Sequence, residues 1–173
     1  LNLTRIIITH GDADHCGGGG YYPVRALLHP GTESIIRAAN RAYGSRSENS
    51  ILEEVYTTMI NLFSGFRPPH SMEILPPARE QDRRGIFPVL ARITIGDIPF
   101  EVLEGLGGHQ HGQIYLFSPE QGVLFTADTA INYPYISPER TDYNNIAVFL
   151  VTSVNVDSGI AREERKALQS LAM

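Results

Sequence analysis

The densest chemistry in the chain lies in the stretch Thr9-His10-Gly11-Asp12-Ala13-Asp14-His15-Cys16-Gly17-Gly18. Imidazole nitrogens and carboxylate oxygens are ordinary ligands for zinc and related cations. Side chains two apart on an extended segment project to the same side, so His10 and Asp12 can share one ion. A turn after Ala13 lets the adjacent Asp14 and His15 address a second. Each residue also has a plainer use. A histidine at a strand end is usually hydrogen-bonded, and Asp12 or Asp14 beside glycines suits a turn or a helix N-cap. The cluster decides between these readings. Carboxylates and imidazoles crowded together without a cation would repel or leave charge unpaired, so the sequence points to a metal site.

The elements that must position these groups are legible from the flanking pattern. Residues 4–9, Thr-Arg-Ile-Ile-Ile-Thr, form a β-branched run that reads as a buried strand delivering His10 at its end. Gly17 to Gly20 allow a sharp turn without a side chain blocking the cleft. Residues 24–28 fit a second strand. His29-Pro30-Gly31 reads as a turn, with Gly31 or Thr32 capping a helix over about residues 33–43. His29 precedes proline, so its backbone is extended and its role structural. After a polar loop at 44–49, Ile51, Leu52, Val55, Met59, Ile60 and Phe63 recur at helical spacing. This predicts an amphipathic helix with its stripe in the core, a lid or dimer face being the alternative. Residues 66–84 are rich in proline and charge and predict no regular structure. Such a loop suits a flap beside a site, where His70 and the arginines would meet an anionic substrate if they are not simply solvated.

From Val89 the character becomes β. Residues 91–95 and 98–103 alternate around Gly96-Asp97, a two-residue hairpin turn with glycine first. A glycine-rich segment, Gly105 to Gly112, carries His109 and His111. Strands over 113–118 and 123–126 follow, separated by a Pro119-Glu120-Gln121-Gly122 turn, and the second ends at Ala127-Asp128. Tyr133 and Tyr135 belong to a stretch placed near the mouth of a pocket. An apolar run over 145–156 leads to a helix over about 159–173, capped by Asp157 or Ser158. That helix is charged at Arg162, Glu163, Arg165 and Lys166 and apolar at Ile160, Ala167, Leu168 and Leu171.

Composition sets outer bounds. The 173 residues suffice for one domain with a proper core. The 42% hydrophobic and 19% charged content is that of a globular protein. A net charge of −5 with no dense Lys/Arg stretch argues against a nucleic-acid partner. A single cysteine, Cys16, excludes an intrachain disulfide and reads as a small buried filler rather than a reactive thiol. No membrane-spanning run or signal peptide is evident, so a cytoplasmic location is expected. The chain opens on a strand and its ligand cluster, as though mid-fold, and it is expected to be a fragment.

The residues resemble the two signatures of the metallo-β-lactamase superfamily. In the first, a strand is followed by His-x-His-x-Asp-His and glycines; here the pattern is His10-x-Asp12-x-Asp14-His15. Asp12 stands where the family most often has its second histidine, a variation similar to the DNA-uptake branch. In the second, a Gly-His-x-x-Gly element precedes an apolar strand ending in Gly-Asp. Here these are Gly108-His109-Gln110-His111-Gly112 and Phe125-Thr126-Ala127-Asp128. The resemblance implies that His109 is a ligand of the first metal and Asp128 a carboxylate able to bridge both. Ala127 in place of glycine is expected to be mild, both being small. His111 fits no ligand position.

The fold implied is α/β, an αββα sandwich of the metallo-β-lactamase type over residues 1–173, incomplete at both ends. The family's last ligand is a histidine after a C-terminal helix, and no histidine follows His111. The activity implied is that of a metal-dependent hydrolase. Two divalent ions, zinc first, would acidify a bridging water that attacks an ester, thioester, phosphoester or amide of a small-molecule substrate. Asp14 would orient that nucleophile and later protonate the leaving group. The harder ligand Asp12 would shift preference from zinc towards manganese or iron. Three alternatives stay open: a nuclease of the DNA-uptake type, a mononuclear iron oxygenase, and a non-catalytic module held by hydrogen bonds alone. The superfamily hosts many reactions on one scaffold, so the resemblance names no substrate.

Overall fold

The computed structural model describes residues 3–38, 58–59, 62–63, 65–130 and 155–172. Two sheets face each other. The first is parallel, with strands β1 (Arg5–Ile7), β2 (Arg25–Leu28) and β3 (Met72–Ile74) side by side in that order. The second is antiparallel, in the order β4 (Arg83–Arg84), β5 (Phe87–Ile95), β6 (Ile98–Glu104), β7 (Ile114–Ser118) and β8 (Val123–Phe125). The described helices are α1 (Ala13–Cys16), α2 (Pro30–Arg37) and α3 (Ser158–Ala172).

Three apolar clusters give the layer order. Leu27 of β2 packs with Leu90, Phe100, Val102, Ile114 and Leu116 of the second sheet, so this cluster fills the space between the sheets. Ile8, Cys16, Ala26, Leu28 and Ile36 join the outer face of the first sheet to α1 and α2. Phe87, Val89, Leu103, Tyr115 and Phe117 pack on Leu168 of α3. The result is helix, sheet, sheet, helix. Where the second sheet is covered on both faces, a strand has no need to alternate. Ile114–Ser118 is buried throughout. A bulge at Leu90, where Val89 pairs with Leu103 and Ala91 with Val102, flips the facing of β5. Phe87 and Val89 therefore meet α3, while Ala91 and Ile93 meet the first sheet.

The structure departs from the sequence expectations in several places. Helix α2 begins at Pro30, not after Gly31 or Thr32. Its N-cap is His29, whose Nδ1 accepts from the Gly31 N–H at 2.9 Å and whose Nε2 meets Glu104 at 3.1 Å. Proline at N1 and an imidazole acceptor take the role expected of threonine. The 66–84 stretch contains β3 and β4, too short for a periodic signal. Two of its arginines serve the fold: Arg84 makes a two-pronged pair with Glu101 at 2.8 and 2.9 Å, and Arg83 donates to the Ile86 carbonyl. His70 is exposed. The amphipathic helix expected over 51–63 lies largely outside the described residues, as do Tyr133, Tyr135 and most of the 145–156 run. Among the described residues no helix is long and apolar enough to cross a membrane.

Candidate metal centre

Strand β1 ends where both sheets converge. The Ile8 N–H bonds the Leu27 carbonyl at 3.0 Å, and the Thr9 carbonyl accepts from Ile114 of β7 at 2.8 Å. His10 therefore leaves a backbone fixed from two sides and is completely buried. The chain then turns. Asp12 is extended (φ −66°, ψ 148°) and is the N-cap of α1, its carbonyl accepting from His15 and Cys16. Its side chain makes no capping bond and turns instead towards the histidines. One helical turn presents Asp14 and His15 together.

His109 comes from the second sheet, on the loop between β6 and β7. Gly108 lets this loop close on α3: a Cβ there would lie 2.3 Å from the Ala161 nitrogen and 2.3 Å from a Glu164 carboxylate oxygen. Asp128 sits on a 3-10 turn, Ala127–Thr129, directly after β8. Ala127 adopts φ +46°. The departure from glycine at this position is thus conformational: alanine occupies a left-handed backbone that glycine adopts without strain.

All six residues singled out in the sequence come together, in two overlapping groups. His10, Asp12, His109 and Asp128 each offer a ligand atom within 4.8 Å of the others, and so do Asp14, His15 and Asp128. Asp128 belongs to both. Asp12 Oδ2 lies 3.4 Å from His10 Nε2 and 3.2 Å from His109 Nε2. Asp128 reaches His10 Nε2 at 3.9 Å and His15 Nε2 at 3.1 Å. His15 and Asp14 are 3.5 Å apart. The His10 and His15 rings lie with centroids 4.0 Å apart, tilted 39° to one another.

The electrostatics follow from burial and pairing. Burial lowers the His10 imidazole below its usual value, keeping the neutral ring that a cation binds. Burial would raise the Asp12 carboxyl, but the facing nitrogens of His10 and His109 hold it well below the carboxylate range. The hydrogen bond between His15 and Asp128 raises the imidazole and lowers the carboxyl. Burial opposes a charge on His109, yet its bond to Asp12 leaves it raised. His10 Nε2 is buried, faces the cluster and has no hydrogen-bond partner. A lone pair sealed from water and unmatched in the protein costs free energy. Two carboxylates and two imidazoles converging around it are the donor set of a divalent cation, so the residues fit a metal.

Other predicted residues separate cleanly. His111 is exposed and outside both groups. Cys16 is buried, donates to the Gly11 carbonyl at 3.3 Å, and burial pushes its thiol up to about 12, as a structural filler requires. Three supporting residues escaped the sequence reading. Gln110 bonds both Gly11 and Asp12. Asn155 lies 3.4 Å from His109 Nδ1. Glu164 is buried on α3 and accepts from the Leu106 N–H at 2.5 Å. Polar residues with no periodic signature gave no cue to Asn155 or Glu164. For Gln110, its place between His109 and His111 was the available signal.

The sequence profile of the metallo-beta-lactamase superfamily matches residues 1–172. The chain belongs to that superfamily. Its αββα layers and the placement of both signatures at strand ends agree with membership. Among solved structures, the chain is similar to TTHA1623 in a di-iron-bound form, with 18% identity and a TM-score of 0.51. That match covers 99% of this chain and 66% of TTHA1623, so the metallo-β-lactamase-like chain spans just under two thirds of its relative's length. It is also similar to the metallo-beta-lactamase family protein TTHA1429 from Thermus thermophilus. Here identity is 18% and the TM-score 0.46, covering 97% of this chain and 61% of that one. No curated protein matches the chain.

Proposed function

We propose that this protein is a metal-dependent hydrolase with a dinuclear centre, acting on an ester, thioester, phosphoester or amide of a small molecule. The observation that carries the reading is the pair of ligand groups sharing Asp128, with the buried, unpartnered His10 Nε2 at their heart. His10, Asp12, His109 and Asp128 would hold one divalent ion, and Asp14, His15 and Asp128 the other. Two such ions supply an acidified water and polarisation of the scissile bond.

The protein's own groups do the remainder. His10 and His109 sit in a sealed floor that keeps bulk water from the inner side of the site. Asp14 is 78% exposed at its side chain and faces the open side. It is the group we assign to orient the nucleophile and assist the leaving group. Asp12, an oxygen ligand where histidine is usual in the superfamily, supports manganese or iron beside zinc. The di-iron form of TTHA1623 makes iron a metal to load in the same test.

Elemental analysis of the purified protein, followed by loading with zinc, manganese or iron(II), tests the proposal. About two equivalents per chain and metal-dependent turnover of a p-nitrophenyl ester, a thioester or bis-p-nitrophenyl phosphate are expected. Failure to take up any of the three metals would overturn it.

A further inference from the structure

The two oxygens of Asp12 are put to different uses. Oδ2 faces His10 and His109 Nε2 at 3.4 and 3.2 Å. Oδ1 accepts from Gln110 Nε2 at 2.5 Å. Gln110 is itself buried and immobilised, because its Oε1 accepts from the Gly11 N–H at 2.6 Å. Gly11 closes the arrangement: a Cβ there would lie 2.6 Å from Ile35 Cγ2 of α2 and 3.0 Å from Gln110 Oε1. The Asp12 side chain makes no cap bond to its own helix.

We infer that Gln110 is the positioning residue that presents Asp12 to the first metal through one oxygen. This rests on the metal-centre reading above. The chemistry of the pair is specific. A ligating histidine donates from its second nitrogen and needs an acceptor behind it. A ligating carboxylate has a second oxygen that needs a donor. The amide of Gln110 supplies N–H to Asp12 and, from its other end, takes N–H from the backbone that carries Asp12. Only an amide long enough to span both does so. Asp12 and Gln110, 98 residues apart, are thus two halves of one device, and the aspartate in place of histidine is functional only with its glutamine.

The test is metal affinity, measured by chelator competition with zinc and with manganese on the wild-type chain, Gln110→Met, Asp12→Ala and the double variant. Asp12→Ala identifies which of the two dissociation constants belongs to the first cluster. Gln110→Met is expected to weaken that constant by roughly 10–100-fold and leave the other alone. In the Asp12→Ala background it is expected to change nothing further. An unchanged constant in Gln110→Met would overturn the inference. So would an equal loss in both backgrounds, which marks a merely structural glutamine. Should Gln110→Met not fold, Gln110→Asn serves the same cycle, keeping an amide withdrawn by one methylene. A wild-type chain that takes up no metal would bring down the hydrolase reading and this inference with it. Uptake by wild type with an unaffected Gln110 variant would bring down this inference alone.

Discussion

The two halves of the centre are built on opposite principles. The first group has a sealed floor of imidazoles, His10 completely buried and His109 2% exposed, with the carboxylates of Asp12 and Asp128 half-buried above it. Three of its four members are tied down by a neighbour outside the group, His10 by the Thr9 hydroxyl at 3.1 Å, His109 by Asn155, Asp12 by Gln110. The second group lies on one turn of helix, with Asp14 largely in solvent and His15 28% exposed. A preorganised, desolvated site binds a cation with little reorganisation. An open one leaves coordination positions for water and substrate. On the proposed dinuclear reading, the first group would anchor its ion and the second would give access, with Asp128 coupling them.

Removing the coupling should have the largest effect. In Asp128→Ala both groups lose a ligand, and elemental analysis should find neither ion retained after dialysis. Retention of one full equivalent would show that the halves are independent.

Gly108→Ala should strike the first group alone. The added methyl meets Ala161 and Glu164, so the loop carrying His109 must shift. A loss of about 1–3 kcal/mol in urea unfolding is expected from such overpacking, with weakened binding of the tighter ion and the looser one unaffected.

Glu164, behind that loop, gives a pH signature. Burial raises its carboxyl above the ordinary 4.5. The folded state then binds the proton more tightly than the unfolded one. Stability is fullest below the ordinary value and falls as pH rises through the raised one. Glu164→Gln keeps an acceptor for the Leu106 N–H and removes that fall. Unfolding in the presence of chelator should show the variant and wild type nearly equal in acid, and the variant more stable at neutral pH.

The smallest effect concerns the hinge of the shared ligand. Ala127→Gly relieves the left-handed backbone before Asp128 but frees the unfolded chain. The net gain should be about 0.5–1 kcal/mol by thermal unfolding. A loss of stability would show that the alanine methyl packs favourably enough to outweigh its backbone.

Much of this candidate centre was legible in one dimension because four of its six residues are local, from His10 to His15. Strand β1 and the cluster behind it are contiguous, and a β-branched run ending in His-x-Asp-x-Asp-His carries its own geometry. The hairpin from β5 to β6 and the strand leading to Asp128 were likewise readable, since turns and strand ends have residue signatures. Strands β3 and β4 were not. At two or three residues they are defined by their partners, β2 and β5, and not by any period of their own.

By itself, then, the sequence determined the His10 to His15 cluster and the places of most strands, because ligand spacing and apolar runs are properties of neighbouring residues, while the resemblance to the metallo-β-lactamase superfamily supplied His109, Asp128 and the αββα type. Only the tertiary structure decided how the six divide into two groups sharing Asp128, one of them floored by buried imidazoles. It also decided that Gln110 grips Asp12, that Glu164 is buried behind the His109 loop, and that Ala127 bears a glycine's backbone. Each of these depends on groups far apart in the chain meeting in space, or on a dihedral angle, and neither quantity is written in the local pattern of residue types.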